Sequence, residues 1–125
     1  MAVKHMKDEL RGSFHVLEFM GLVDGVPPSA VYRHDIKNCV GQCDVFVAIA
    51  DEPSTGLGYE LAVAVEVRRV PTLVLVQEGK VLTRLVRGAC VENSHAVLMR
   101  YTTCTDIAGI IKAWATEIPV LAETA

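Results

Sequence analysis

Asp44-Val-Phe-Val-Ala-Ile-Ala50, running into Asp51-Glu-Pro-Ser-Thr-Gly-Leu-Gly-Tyr-Glu-Leu-Ala62, decides the fold. Residues 45–50 form a short apolar, β-branched run that reads as a strand buried on both faces. Leu61, Val65 and the neighbouring small apolar residues up to Arg68-Arg69 read as a helix packed on a sheet. Between them lies a loop with two glycines, so backbone N–H groups and a positive helix end face a ligand. Pro53 and Ser54 mark the exit from the strand, and Ser54 or Thr55 caps the helix. Glu60 is expected in the first helical turn, where the dipole favours its ionised form. There it reads either as a nucleophile or base at the carboxyl end of a strand, or as a plain capping carboxylate.

Outward from this stretch, strand and helix patterns alternate. Residues 3–20 predict a helix, with Met6, Leu10, Phe14 and Leu17 at three- and four-residue steps, weakened by Gly12-Ser13. Gly21–Pro28 reads as a loop. Ser29 is the expected cap of a helix reaching about Gln42, with Val31, Ile36, Cys39 and Val40 on its buried side. Downstream, residues 71–76 predict a buried strand and 81–86 one or two helical turns. Residues 96–101 predict a third, more exposed strand. Thr105-Asp106 should cap a last helix with Ile107, Ile110, Ile111 and Trp114 inside, stopped by Pro119. Alternation of this kind predicts an α/β fold with a parallel sheet and crossover helices, in a single domain over 1–125.

Composition narrows the function. The chain has 125 residues, 51% of them hydrophobic, which is enough for one domain with a core. A net charge of −3 argues against a nucleic-acid surface, and no apolar run approaches a membrane span. The charged start is unlike a signal peptide, and four cysteines without secretory context read as reduced thiols, so a cytoplasmic protein is expected. Cys39 and Cys43 share a helix face but have no second ligand pair, so they read as buried thiols and no metal is expected. His15, His34 and His95 show no partner pattern. Arg84 and Arg87 read as a solvated basic face or as phosphate ligands. Without a Walker or dinucleotide fingerprint, no cofactor is expected.

Pro53-Ser-Thr-Gly-Leu-Gly-Tyr-Glu60 resembles the signature of the nucleoside 2-deoxyribosyltransferase family, including its 2'-deoxynucleoside 5'-monophosphate N-hydrolase branch. Val31-Tyr-Arg-His-Asp35 with Cys43-Asp44, and Gly79–Ala89, are similar to flanking segments of that family, so the resemblance covers about residues 27 to 116. It implies a flavodoxin-like three-layer sandwich. The family sheet begins with a central strand and a glycine loop, whereas this chain opens with what looks like the next helix. The usual first strand is therefore expected to be missing, leaving the edge of strand 45–50 open to association as a homo-oligomer.

The resemblance also implies chemistry. Glu60 corresponds to the nucleophile that attacks the anomeric carbon of a 2-deoxyribosyl group, and Asp35 to an aspartate beside the nucleobase. By itself Asp35 reads as a solvated carboxylate pairing with Arg33 or Lys37, and Tyr32 reads as a ring that stacks or, in the preferred reading, simply packs. Ser54 favours the monophosphate hydrolases, because serine donates to a phosphate where an aspartate would repel it. Gly56 and Gly58 would let the backbone approach that phosphate. Thr83 matches a hydroxyl supplied across a dimer interface, or is a capping threonine. The expected substrate is a deoxynucleotide or deoxynucleoside; base exchange between deoxynucleosides and a non-catalytic nucleotide-binding module are the competing readings.

Overall fold

The computed structural model describes residues 2–19 and 24–119. Its centre is a three-stranded parallel sheet in the order β1-β2-β3, formed by β1 (Phe46–Ile49), β2 (Thr72–Gln77) and β3 (Ala96–Tyr101). Phe46 is in register with Thr72 and Ile49 with Leu75, while Thr72 pairs with Ala96 and Gln77 with Tyr101. β2 is central, and Leu73, Val74, Leu75 and Val76 are all fully buried, which explains its unbroken apolar run.

Helices cover both faces, as expected for the flavodoxin-like sandwich. One face carries α1 (Ala2–Arg11) and α5 (Ile107–Thr116), whose Met6, Leu10, Ile107, Ile111 and Trp114 bury Leu73 and Leu75. The other face carries α2 (Pro28–Tyr32), α3 (Thr55–Ala62) and α4 (Arg84–Glu92). There Val40, Leu61, Val65 and Leu82 pack around Phe46, Ala48 and Val74. α2 and α3 run on without a break into π-helical segments, Arg33–Val40 and Val63–Arg68. Gly41 closes the first of these: its N–H donates to Ile36 O at 2.6 Å, and a Cβ there would lie 2.5 Å from Lys37 O. Only glycine fits so close an approach.

Several expectations are corrected. The first helix ends at Arg11 rather than near 20, because Gly12-Ser13 turns the chain and Ser13 and Phe14 N–H both donate to Leu10 O. Residues 14–19 then run back along α1, held by Lys7–Glu18 at 3.0 Å and an Arg11–Glu18 pair, with Phe14 and Val16 on the core. Of the expected 21–28 loop, residues 21–23 lie outside the described residues, as does the proposed helical residue 20. Ser29 does not cap α2; Pro27 holds that position with no side-chain bond. The fourth helix starts later than expected, at Arg84, and extends to Glu92. Asp106 does hold the N-cap position of the last helix, but with no side-chain cap bond there; its carboxylate instead forms a capping box with Thr103 across the preceding 3₁₀ turn Cys104–Asp106.

The central strand carries the core energetically. Leu75→Ala should cost about 2–5 kcal/mol in urea unfolding, whereas Val91→Ala on exposed α4 should stay within about 0.5 kcal/mol. Equal losses in the two variants would contradict this placement of the core.

Candidate active site

Asp51, just past β1, fixes where the site begins. Its Oδ1 accepts from Gln77 N–H at 2.8 Å, and its Oδ2 accepts from the hydroxyl of buried Tyr101. The strand register, extended by two residues, puts Asp51, Gln77 and Tyr101 on one level, so the carboxylate ties the ends of all three strands together. Burial first, and then the bond to Asp51, hold the Tyr101 phenol well above its ordinary pKa. The sequence reading passed over Asp51, although an acid at the exit of a buried strand was the available signal.

From that anchor the chain turns through residues 52–54 into α3. Ser54 is the N-cap, as expected, and its Oγ accepts from Leu57 N–H at 3.2 Å. The same hydroxyl keeps its proton to donate outward. Gly56 and Gly58 lie exposed in the first turn, and a Cβ at Gly58 would meet nothing within 4 Å, so this helix end stands open to a ligand.

Glu60 is not in the first turn. It is the sixth residue of α3, beyond the reach of the helix N-terminus, and it is partly buried. The expected dipole-stabilised, ionised carboxylate is therefore corrected. Desolvation, and next the charge of Asp35, push Glu60 up to about 7. Asp35 sits in the π-helical segment and is only 4% exposed, so it is no solvated helix carboxylate. The two expected catalytic residues are thus brought together as electrostatically coupled neighbours.

Glu60 lines a groove of about 860 Å³ beside β1, the terminal strand of the sheet among the described residues. Leu10, Val16, Phe19, Phe46 and Cys39 contribute much of its apolar wall. A second, more open depression of about 540 Å³ lies between the end of β3 and α5, away from the carboxylate pair. Tyr32 and Tyr59 are both exposed and meet edge to face at 6.3 Å, with Lys37 Nζ 5.9 Å from the Tyr32 ring. Tyr32 is therefore not a core-packing residue. Thr83 stands apart from the groove: it heads α4, which packs on β3, and its Oγ1 caps Leu85 N–H at 3.1 Å. Burial raises the thiols of Cys39, Cys43 and Cys90, so none of these is an activated thiolate.

Among the described residues no helix is long and apolar enough to cross a membrane. No protein-family model matches the chain. The chain is similar to 5-hydroxymethyl-dUMP N-hydrolase of Rattus norvegicus, 43% identical over 61 residues, covering 47% of this chain and 36% of that protein. It is also similar to the Homo sapiens protein of the same name, 47% identical over 60 residues, covering 47% of this chain and 34% of that one. The matched stretch spans about a third of the length of these curated relatives. The resemblance to the deoxynucleotide N-hydrolase branch implied by the motif is therefore found.

The raised Glu60 carboxyl links the site to stability. Its folded pKa, about 7, lies above the ordinary 4.5, so its contribution is intact below about pH 4.5 and is lost as pH rises through about 7. Glu60→Gln should therefore melt higher than wild type at pH 8, with the gap closing toward pH 5. Asp35→Asn should shift that crossover to lower pH by removing the like charge. A pH-independent difference in Tm between wild type and Glu60→Gln would contradict the buried, coupled carboxylate.

Proposed function

We propose that this chain cleaves the N-glycosidic bond of 2'-deoxynucleoside 5'-monophosphates, with Glu60 as nucleophile. The observation that carries this reading is the Asp35–Glu60 pair beside a groove, one and a half turns from a helix end open to an anion. Similarity to two proteins named as deoxynucleotide N-hydrolases supports the same reading.

In this mechanism a Glu60 Oε attacks the anomeric carbon. The C–O bond forms as the C–N bond breaks, and the bonding pair leaves on the base nitrogen, which takes a proton from solvent on the Asp35 side; the water that later opens the ester returns one to solvent. A carboxylate with a pKa near neutrality is substantially ionised at pH 7 and can carry out this attack. Water then cleaves the glycosyl ester and regenerates Glu60. Ser54 Oγ–H, together with the leading amides of α3 at Thr55 and Gly56, receives the 5'-phosphate, and Gly58, whose N–H is bonded to Ser54 O, leaves room for it. The exposed rings of Tyr32 and Tyr59, which meet edge to face on the neighbouring helices, each offer a base an apolar face.

The working form in this reading is a cytoplasmic homodimer. Thr83 lies off the groove, so it reaches substrate only across a subunit boundary. Val81, Leu85 and Val91, each more than 80% exposed, provide apolar surface around it. Leu85→Asp should then lower the sedimentation coefficient to that of a monomer, and an unchanged dimer would remove this face from the interface.

Base release from paired substrates tests the chemistry. Wild type should prefer the monophosphate over the nucleoside by more than about tenfold in kcat/KM, since a charge-assisted hydrogen bond contributes about 1.5–3 kcal/mol. Ser54→Asp should reverse or abolish the preference. Glu60→Gln should lose more than about a hundredfold on both substrates while remaining folded. Turnover of Glu60→Gln near the wild-type rate would sink the covalent route. Release that requires an acceptor base would make the enzyme a transferase.

A further inference from the structure

The π-helical segment Arg33–Val40 does more than carry Asp35. It places His34, Asp35 and Cys39 in one cluster, with a ligand atom from each within 4.8 Å of the others. Residues 34 and 39 are five apart, which in an α-helix would separate their side chains by about 140° around the axis. The i→i+5 bonding of a π-helix closes its turn at that spacing and brings the two onto one face, with Asp35 alongside. Asp35 and Cys39 are buried and His34 is half-buried, so this is a walled cluster rather than a patch of surface acids.

The donors match one class of ion. An imidazole nitrogen, a thiol sulfur and a carboxylate oxygen together suit zinc, whereas calcium and magnesium prefer oxygen alone. Zinc bond lengths of about 2.0–2.3 Å require ligand atoms roughly 3.5 Å apart, so the three atoms, which lie within 4.8 Å of one another, draw closer together on binding. The surroundings already hold the ligands in place. Glu18 O accepts from His34 Nε2 at 2.6 Å and from Cys39 Sγ at 3.3 Å, which ties both residues to one carbonyl. An imidazole held by an N–H to a carbonyl keeps its other nitrogen available, as metal-ligating histidines commonly do.

We propose that His34, Asp35 and Cys39 form a zinc site. Binding displaces the Cys39 thiol proton to solvent, so the sulfur exchanges its bond to Glu18 O for one to the metal while His34 keeps its own. Because Asp35 belongs to both the cluster and the carboxylate pair, an occupied site takes Asp35 away from the leaving base. Zinc is thus an inhibitor, a consequence that rests on the proposed glycosidic chemistry.

Cobalt(II) reports the site without any need for turnover. Chelator-treated protein titrated with cobalt should take up one ion per chain and develop a thiolate-to-cobalt absorption band that zinc then abolishes. The band should be lost in Cys39→Ser, with folding checked by circular dichroism. His34→Gln, at a half-buried position, should weaken cobalt binding by more than about tenfold. Absence of a thiolate band, or a band that survives both substitutions undiminished, overturns the site. In parallel, zinc should slow base release in wild type and leave Cys39→Ser unaffected. Full activity in zinc-loaded wild type would overturn the inhibitory role even where cobalt binds. A protein that binds cobalt but releases no base would refute the glycosidic reading and leave the metal site standing.

Discussion

The Asp51 carboxylate is the contact on which the rest of the architecture depends. Parallel strands joined by crossover helices have no tight hairpins to align their ends, so their register rests on the ladder and on whatever closes it. Here a single side chain accepts from the β2 backbone at Gln77 and from the β3 hydroxyl of Tyr101, while its own backbone continues β1. Hydrogen bonds to a charged acceptor contribute about 1.5–3 kcal/mol each, a substantial part of the roughly 5–15 kcal/mol by which a domain is stable. The clamp also fixes the starting point of the turn into α3, and through it the positions of Ser54 and Glu60.

At the other end of that turn the electrostatics run the opposite way. Asp51 is satisfied by donors, whereas Glu60 is partly desolvated beside a second carboxylate, which raises its pKa to about 7. A carboxylate kept in this state opposes folding at higher pH and gains basicity and nucleophilicity in return. Stability given up locally in this way is what a reactive site requires, and the buried β2 core supplies the surplus.

Much of this could be read from the sequence, and for identifiable reasons. β2 and β3 were found within a residue because their apolar, β-branched runs are bounded by turn residues. Ser54 was legible because serine before a helix has one dominant use. Glu60 is a candidate from its place after a buried strand, Asp35 only through the resemblance, and their proximity belongs to the fold. What escaped depends on backbone geometry that residue types do not encode. The apolar spacing at Phe14 and Leu17 continued a helical pattern past Gly12-Ser13, but ion pairs from Glu18 to Lys7 and Arg11 stabilise a reversal there. Glu60 lies deeper in the helix than a first-turn carboxylate because Ser54, six residues ahead of it, is the cap. The π-helices were invisible because the same residues satisfy a 3.6-residue period about as well.

Those two π-helical segments have a common physical origin. Arg68, at the end of the second, donates through Nε to Val40 O at 3.2 Å and through a terminal nitrogen to Cys43 O at 2.7 Å, capping the carbonyls where the first one ends. The wide turns therefore support each other, and Gly41 is the residue small enough to let the first one close. A wide turn shifts the faces of the following residues relative to an α-helix. In the first segment that shift brings His34 onto the face of Asp35 and Cys39, next to Glu60. The arginine that satisfies the helix end thus also helps to set the chemistry of the site, through backbone geometry and without touching a reacting group.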